Sequence, residues 1–121
     1  MNPDQVVRQF CAAWGQGDVD AIVESFTQDA VYHNIPMEPC TGKDAIRAFV
    51  SGFLRGAASG VRFEIRHQLV QGRLVMNERV DTIVMGGRTI DLPVCGVFEL
   101  TPEGKISSWR DYFDMAQFSG T

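Results

Sequence analysis

Three side chains capable of acid–base and electrostatic chemistry lie close together in one stretch of the chain. The run LVMNERVDTIVM, residues 74–85, places Asn77, Arg79 and Asp81 at alternate positions between apolar ends. Alternate residues of a β-strand point to the same face of a sheet, so these side chains share one face if the run is extended. A second aspartate, Asp111, lies in another apolar-rich run near the end of the chain. Two carboxyl groups and one guanidinium are therefore candidates for a common site.

The chemistry of such a group follows from the cost of burying charge. A lone ionised carboxylate in apolar surroundings costs several kcal/mol per ion in desolvation, roughly, unless a partner offsets it. Two carboxyl groups that share one proton around one guanidinium are neutral overall. Burial and like charge then raise one pKa, while the guanidinium holds the other down, so an acid and a base coexist at one pH. This pair suits the concerted addition of water. A structural ion-pair cluster remains the alternative reading.

Three helices are predicted in the first half of the chain. Asn2-Pro3 begins the first, which carries apolar residues at helical spacing. Asp18 is expected to cap a short second helix, and the run TGKD, residues 41–44, has the capping pattern expected at the start of a third. Between them, residues 30–36 form a brief extended piece that ends at a proline.

From residue 61 onward the apolar period changes from that of a helix to two, as in β-strands. Glycine-containing turns separate the alternating runs, and Gly86-Gly87 is a strong signal for a two-residue hairpin. The predicted strands are residues 61–69, 73–85, 88–100 and 105–115. Helices first and an antiparallel meander second predict an α+β fold with the helices on one side of a curved sheet.

The predicted hairpin fixes which residues face each other. A two-residue turn at Gly86-Gly87 sets Arg79 opposite Val94 and Asn77 opposite Gly96, with Asp81 opposite Leu92. If the loop in TPEG, residues 101–104, has an even number of residues, alternate residues of the next strand point to the same face. A loop of odd length would reverse this parity. The residues added by an even loop are Trp109, Asp111, Phe113 and Met115.

Asp111 would then lie two strands from Arg79, about 10 Å between backbones. A long arginine side chain and a short aspartate can close much of that gap. Gly96 is expected to lie near Trp109 and to leave room for its indole ring.

Composition limits the classes of function. The 121 residues carry a net charge of −4 and contain no run apolar enough to span a membrane, so we expect one domain over residues 1–121 with neither nucleic acid nor membrane as a partner. The beginning of the chain lacks the pattern of a secretion signal, which favours the cytoplasm. The spacing of the cysteines and histidines predicts neither a disulfide frame nor a metal site. The cysteines are Cys11, Cys40 and Cys95.

Three segments resemble the limonene-1,2-epoxide hydrolase family. They are YHN at residues 32–34, NERVD at 77–81 and GVFELTPEGKISSWRDYFD at 96–114. This family belongs to a cone-shaped α+β group that includes nuclear transport factor 2 and ketosteroid isomerase. The resemblance implies three N-terminal helices packed on a strongly curved, mainly antiparallel sheet, the cystatin-like cone.

The resemblance also implies a one-step hydrolysis of an apolar epoxide to a vicinal diol, without a covalent intermediate. Asp111 would take a proton from a water molecule held by Tyr32 and Asn34. Asp81 would donate a proton to the epoxide oxygen, and Arg79 would bridge the two carboxyl groups. Family members are typically homodimers and need no metal or other cofactor, so epoxide, water and a second copy of the chain are the expected partners. The substrate-binding positions implied are Trp109, Ile83, Leu92, Val94 and Phe113.

Two other functions fit the same pattern. A polyketide cyclase or ketosteroid-isomerase-like enzyme would use one aspartate as a proton shuttle and Tyr32 as a hydrogen-bond donor to an oxyanion. A non-catalytic module would only hold an apolar ligand in the pocket. Structural roles also remain open, with Tyr32 and Trp109 as core aromatics and Asn34 as a turn residue.

Overall fold

A computed structural model describes residues 2–119. Within these residues no helix is both long and apolar enough to cross a membrane. The elements in chain order are α1 (Pro3–Gln16), α2 (Val19–Glu24), β1 (Phe26–Asn34), β2 (Cys40–Thr41), α3 (Lys43–Gly56), β3 (Val61–Gln71), β4 (Leu74–Met85), β5 (Arg88–Leu100), β6 (Ile106–Tyr112) and α4 (Met115–Ser119).

The first two helices begin where the sequence predicts. The Asn2 side chain accepts a hydrogen bond from the Gln5 backbone N–H at 3.2 Å, and the Asp18 carboxylate accepts one from the Ala21 N–H at 3.1 Å. Each bond satisfies an N–H group that has no partner inside its helix. The first helix ends at Gly17, whose φ of +66° suits glycine.

The predicted cap of the third helix is wrong. Thr41 belongs to β2, where it pairs with Val31, so its side chain is not the cap of α3. Gly42 takes that place with φ +90° and makes no side-chain hydrogen bond to the helix. Strand pairing of residue 41 therefore overrides the local capping pattern.

The layout of helices also differs from the expected one. The three predicted helices form, but β1 and β2 lie between α2 and α3, and a fourth helix follows β6. Over residues 2–119 the fold is α+β, with four helices and a mainly antiparallel, curved sheet. The predicted last strand, 105–115, stops at Tyr112, and Asp114 caps the helix that follows: its carboxylate accepts the Ala116 N–H at 3.0 Å. Met115 therefore lies in a helix and not on the sheet.

The six strands form one sheet in the order β2-β1-β6-β5-β4-β3. Neighbours are antiparallel except β1 and β6, which run parallel. The two strands that carry the aspartates, β4 and β6, both border β5. The sheet thereby brings residues from distant parts of the chain to one face.

A bulge in β3 changes the predicted alternation of residues 61–69. Ile65 lies opposite Arg79, but His67 lies opposite Glu78, so one residue is extra on the β3 side. Beyond the bulge Gln68 faces Asn77, whereas the sequence alternation put His67 and Leu69 on the inner face. Leu69 is instead 76% exposed.

Helix α1 packs against the inner face of the sheet through aromatic side chains. The Phe10 and Trp109 rings meet edge to face with centroids 4.9 Å apart, and Trp14 stacks on Phe63 at 5.1 Å. Such contacts contribute about 0.5–1.5 kcal/mol each beyond their buried area. In the middle of this aromatic core lies a cation, Arg79, with a fully buried side chain.

Candidate active site

The β4–β5 hairpin has the predicted register. Asp81 lies opposite Leu92, Arg79 opposite Val94 and Asn77 opposite Gly96. Both glycines of the turn have positive φ, 55° for Gly86 and 77° for Gly87. A tight two-residue turn that matches the twist of its strands requires this conformation. The prediction that Asn77, Arg79 and Asp81 share the inner face is therefore confirmed.

Trp109 and Asp111 also reach the predicted face, but by a different route. Leu100 pairs with Ile106, which leaves a loop of odd length, and a register shift next to this pair restores the parity. Phe98 then lies opposite Trp109 and Gly96 opposite Asp111. A bulge thus compensates for the loop length that the sequence reading took to be even.

Parallel pairing of β1 with β6 supplies the remaining polar residues. Tyr32 lies beside Trp109 and Asn34 beside Asp111, and the Ile35 N–H donates to the Asp111 carbonyl at 2.9 Å. No local pattern in the chain predicts this pairing. Only the family resemblance placed Tyr32 and Asn34 next to the aspartates.

All five N–H groups of the Arg79 guanidinium have acceptors. Nε and Nη2 donate to Asp81 Oδ1 and Oδ2 at 3.0 and 2.8 Å. Nη2 and Nη1 donate to Asp111 Oδ2 and Oδ1 at 2.7 and 3.2 Å. The fifth N–H, on Nη1, donates to Asn77 Oδ1 at 3.1 Å. Burial alone would lower the pKa of Arg79, but the charges of the two aspartates outweigh it and raise the pKa well above the ordinary value.

The two carboxyl groups differ in their hydrogen bonds. Asp111 accepts a third donor, the Trp109 indole N–H, at 2.7 Å from Oδ1. Asp81 accepts only from Arg79 among the hydrogen bonds between described residues. Burial raises the pKa of Asp81; Arg79 opposes this rise, and the charge of Asp111 adds to it. Burial thus favours the protonated form of Asp81, whereas Asp111 has the larger number of hydrogen-bond donors around its oxygens.

Gly96 makes space for the guanidinium. A Cβ built at this position would collide with Arg79 Nη1 and lie 2.9 Å from both Asn77 Oδ1 and Asp111 Oδ1. The expectation that Gly96 leaves room for the Trp109 indole is therefore wrong. The smallest residue is required where three polar side chains converge.

Tyr32 and Asn34 lie beside the carboxyl groups. The Tyr32 ring stacks on Trp109 with centroids 4.2 Å apart, and its hydroxyl donates to Asn34 Oδ1 at 3.4 Å. Burial, reinforced by the charge of Asp111, raises the pKa of Tyr32 well above its ordinary value. The phenol is therefore neutral, and its O–H group, which donates to Asn34, lies beside the two aspartates.

A cavity of about 150 Å³ adjoins these groups, and both aspartates border it together with Tyr32 and Asn34. The predicted wall residues Ile83, Leu92, Val94 and Phe113 also line it. Trp109 does not line the cavity: it is fully buried, and its indole N–H donates to Asp111 Oδ1.

Sequence reasoning missed several other residues of the cavity wall. They come from the helices, from strand β3 and from the loop that follows β1, and their apolar spacing indicates only that they are buried in the core. The lining residues missed are Trp14, Met37, Phe49, Phe53, Phe63 and Phe118.

Other reactive groups lie outside this arrangement. Burial raises the pKa of the Cys11 thiol to about 12, which keeps it protonated. Among residues 2–119, no three or more His, Cys, Asp or Glu side chains are grouped so as to hold a metal ion.

Known proteins resemble this chain over most of its length. A SnoaL-like domain is matched over residues 7–109. The epoxide hydrolase EphG of Mycobacterium tuberculosis is 32% identical over 111 residues, which are 90% of this chain and 71% of EphG. The structure of an M. tuberculosis LEH-like epoxide hydrolase superposes with a TM-score of 0.81 and 31% identity, over 96% of this chain and 86% of the other. The epoxide hydrolase/cyclase-like enzyme SalBIII, with a role in pyran ring formation in polyether salinomycin, has a TM-score of 0.86 and 26% identity, over 95% of this chain and 92% of the other.

Proposed function

The chain belongs to the SnoaL-like domain family, and we propose that it is an epoxide hydrolase that adds water to an apolar epoxide, giving a vicinal diol in one concerted step. One observation carries the proposal: two buried carboxyl groups share the guanidinium of Arg79 and border the same apolar cavity. The similarity to EphG supports it.

In the proposed reaction Asp111 takes a proton from water as the water oxygen bonds to an epoxide carbon. The carbon–oxygen bond of the ring breaks at the same time, and Asp81 gives its proton to the leaving oxygen. One proton is accepted and one donated, so the charge of the site is unchanged. The proton on Asp111 returns to Asp81 before the next turnover.

The other polar residues have supporting roles in this proposal. Arg79 keeps the two carboxyl groups in place and offsets their charge, although it does not border the cavity. Tyr32 and Asn34 are positioned to hold the attacking water beside Asp111. A fixed water avoids much of the entropic cost of bringing the reactants together.

The size of the cavity limits the substrate. An engineered apolar cavity of about 150 Å³ holds benzene, so the comparable volume here fits a ring of six carbons. The aliphatic and aromatic walls favour a hydrocarbon without further polar groups. Cyclohexene oxide matches these properties, and larger epoxides would extend through the mouth of the cavity.

Incubation with cyclohexene oxide and limonene oxide, followed by chiral analysis of the products, tests the proposal. We expect diol formation from at least one of them. Folded protein that forms no diol from a broad set of epoxides would refute it.

A second candidate is an epoxide-opening cyclase, which the similarity to SalBIII favours. A hydroxyl of the substrate would then replace water as the nucleophile. An epoxide with a hydroxyl group in the same molecule distinguishes the two: a cyclic ether indicates the cyclase, and a triol indicates the hydrolase.

The dependence of kcat on pH should be bell-shaped, with limbs that belong to the coupled pair of aspartates. Activity falls at low pH as the base is protonated. It falls at high pH because Asp81, whose pKa is raised by burial, loses the proton that it must donate. A profile with no alkaline limb at any pH at which the protein stays folded would contradict the role of Asp81.

The raised pKa of Asp81 also predicts how the free energy of unfolding depends on pH. Because the folded state raises the pKa of Asp81, it binds this proton more tightly than the unfolded chain does. The resulting contribution is complete below the ordinary pKa of 3.8 and is lost as the pH rises through the raised value. The thermal unfolding temperature of wild type and of Asp81→Asn, measured at a series of pH values, tests this: Asp81→Asn should lack the part of the pH dependence that Asp81 contributes.

Trp109→Phe should lower kcat about tenfold, because the carboxylate of Asp111 would lose one of its three hydrogen-bond donors and with it part of its fixed position. Trp14→Phe is the matched control, since the buried Trp14 indole N–H has no hydrogen-bond partner among described residues. An equal loss of kcat in both variants would show that ring volume, not the N–H, is responsible.

We also propose that the protein is a homodimer. Leu69 and Met76 are partners on the outer face of the sheet and are 76% and 42% exposed, so apolar side chains face solvent in the single chain. Sedimentation equilibrium should give twice the mass of one chain. A monomer at micromolar concentration would contradict this proposal.

A further inference from the structure

A row of hydrogen bonds leads from the Arg79 guanidinium away from the cavity. Asn77 accepts from Arg79 Nη1 at 3.1 Å, and its Nδ2 donates to Gln68 Oε1 at 3.1 Å. Gln68 Nε2 donates to the backbone carbonyl of Asp4 at 3.1 Å and to its carboxylate at 2.8 Å. Asn77, Gln68 and Asp4 do not border the cavity.

The bonds in this row all run in one direction. Each amide accepts on the side of Arg79 and donates toward Asp4, where a carbonyl and a carboxylate can only accept. A reversed Asn77 would set its NH2 group against Arg79 Nη1, which is also a donor. The acceptors of Asp4 in α1 therefore fix the orientation of both amides in the sheet.

The bulge in β3 makes the row possible. It turns Gln68, rather than His67, toward Asn77 on the inner face. Asn77 is 3% exposed, so its amide depends on protein partners for its hydrogen bonds. The guanidinium, in turn, has no other acceptor for its fifth N–H among the hydrogen bonds of described residues.

We propose that Asn77 and Gln68 are positioning residues that hold the Arg79 guanidinium in the plane where it bonds both aspartates at once. This inference rests on the proposed function. Two bidentate contacts on adjacent edges of the guanidinium, which share Nη2, require one rotational setting of the group, and Asn77 supplies the contact that the carboxyl groups do not. Breaking the row lets the guanidinium shift, which changes the distribution of the shared proton between Asp81 and Asp111.

Gln68→Leu tests the inference with less risk to folding than a change at the buried Asn77, because Gln68 is half-buried. We expect kcat on the best epoxide to fall about tenfold with KM changed less than about twofold. The Asn77 amide, which accepts from the charged Arg79 Nη1, loses the Gln68 acceptor that orients it, but no contact with substrate is lost. The pH profile should shift with it. Gln71→Leu, an exposed position in the same strand, is the control and should match wild type.

Reversal of one contact gives a stricter test. Gln68→Glu sets a carboxylate against that of Asp4 and should lower kcat. In the double variant Asp4→Asn, Gln68→Glu, the new amide at position 4 can donate to the glutamate, which still accepts from Asn77. We expect the double variant to recover part of the kcat that Gln68→Glu loses, because the backbone carbonyl of residue 4 still lacks its donor. Absence of recovery would overturn the directional row.

A readout independent of turnover separates this inference from the proposed function. In protein labelled with ¹³C at aspartate carboxyl groups, the NMR titration of the Asp81–Asp111 pair should change in Gln68→Leu and stay unchanged in Gln71→Leu. If wild type opens no epoxide, the proposed function fails while this measurement still decides the positioning role. A titration and a kcat in Gln68→Leu equal to those of wild type would refute that role.

Discussion

Asp111→Asn and Asp81→Asn are each expected to lower kcat for epoxide opening by about 10²- to 10⁴-fold, the contribution of a positioned acid or base. Asparagine has the shape of aspartate, but its amide neither accepts the proton of water nor releases one to the epoxide oxygen. Steady-state kinetics with cyclohexene oxide measures the loss. Full activity in either variant would refute the role assigned to that residue.

Both variants should remain folded but less stable. In each, an amide NH2 group would face a donor of the buried Arg79, which leaves a charged N–H without an acceptor. We expect a lower thermal midpoint with a cooperative transition. Asp29→Asn, at an exposed position of the strand that carries Tyr32, is the matched control and should retain wild-type kinetics.

Gly96→Ala should be the most damaging addition of a single methyl group. The backbone of Gly96 is not in the left-handed region, so alanine causes no backbone strain there. Its Cβ would instead displace the Arg79 guanidinium and crowd Asn77 and Asp111. Overpacking of this kind costs about 1–3 kcal/mol, and a displacement of about 1 Å at reacting groups lowers the rate about 10²-fold.

Gly52→Ala is the matched control for this substitution. Gly52 lies in α3, where a Cβ would meet only Arg55 Nη2 at an ordinary 3.8 Å. Alanine in place of glycine within a helix is expected to stabilise by up to about 1 kcal/mol. Comparison of kcat and unfolding temperature between the two variants isolates the effect at the site. Wild-type activity in Gly96→Ala would show that the guanidinium need not occupy its observed position.

The arrangement of the central hairpin was predictable from the chain. Two adjacent glycines between alternating runs define a tight turn, and that turn fixes the pairing of residues 74–85 with residues 88–99. The shared inner face of Asn77, Arg79 and Asp81 follows directly. The positive φ angles that the two turn glycines adopt thus determine how two whole strands pair.

The bulges were not predictable in the same way. A bulge inserts one residue without a change in composition. The extra residues in β3 and near the start of β6 therefore could not be recognised from the alternation of apolar residues in the sequence. One hides the role of Gln68, which the alternation placed on the outer face. The other corrects the parity of Trp109 and Asp111, whose predicted face was right although the predicted loop was wrong.

The walls of the cavity depend on tertiary packing. Phe49, Phe53 and Phe118 come from α3 and α4, and their apolar spacing indicates a buried face without saying which cavity it borders. The parallel contact of β1 with β6 joins residues 77 to 80 positions apart, which no local pattern encodes. The resemblance, not the periodicity, supplied the roles expected of Tyr32 and Asn34.

The most direct test of the central claim, that both aspartates act by proton transfer alone, is a single turnover in H₂¹⁸O with enzyme in excess over epoxide. Direct attack by water predicts one ¹⁸O atom in the diol of the first turnover and none in the carboxyl groups of Asp81 and Asp111. A first-turnover diol without ¹⁸O, with label appearing in a carboxyl group, would contradict the account, because it would mean that an aspartate had bonded to the substrate.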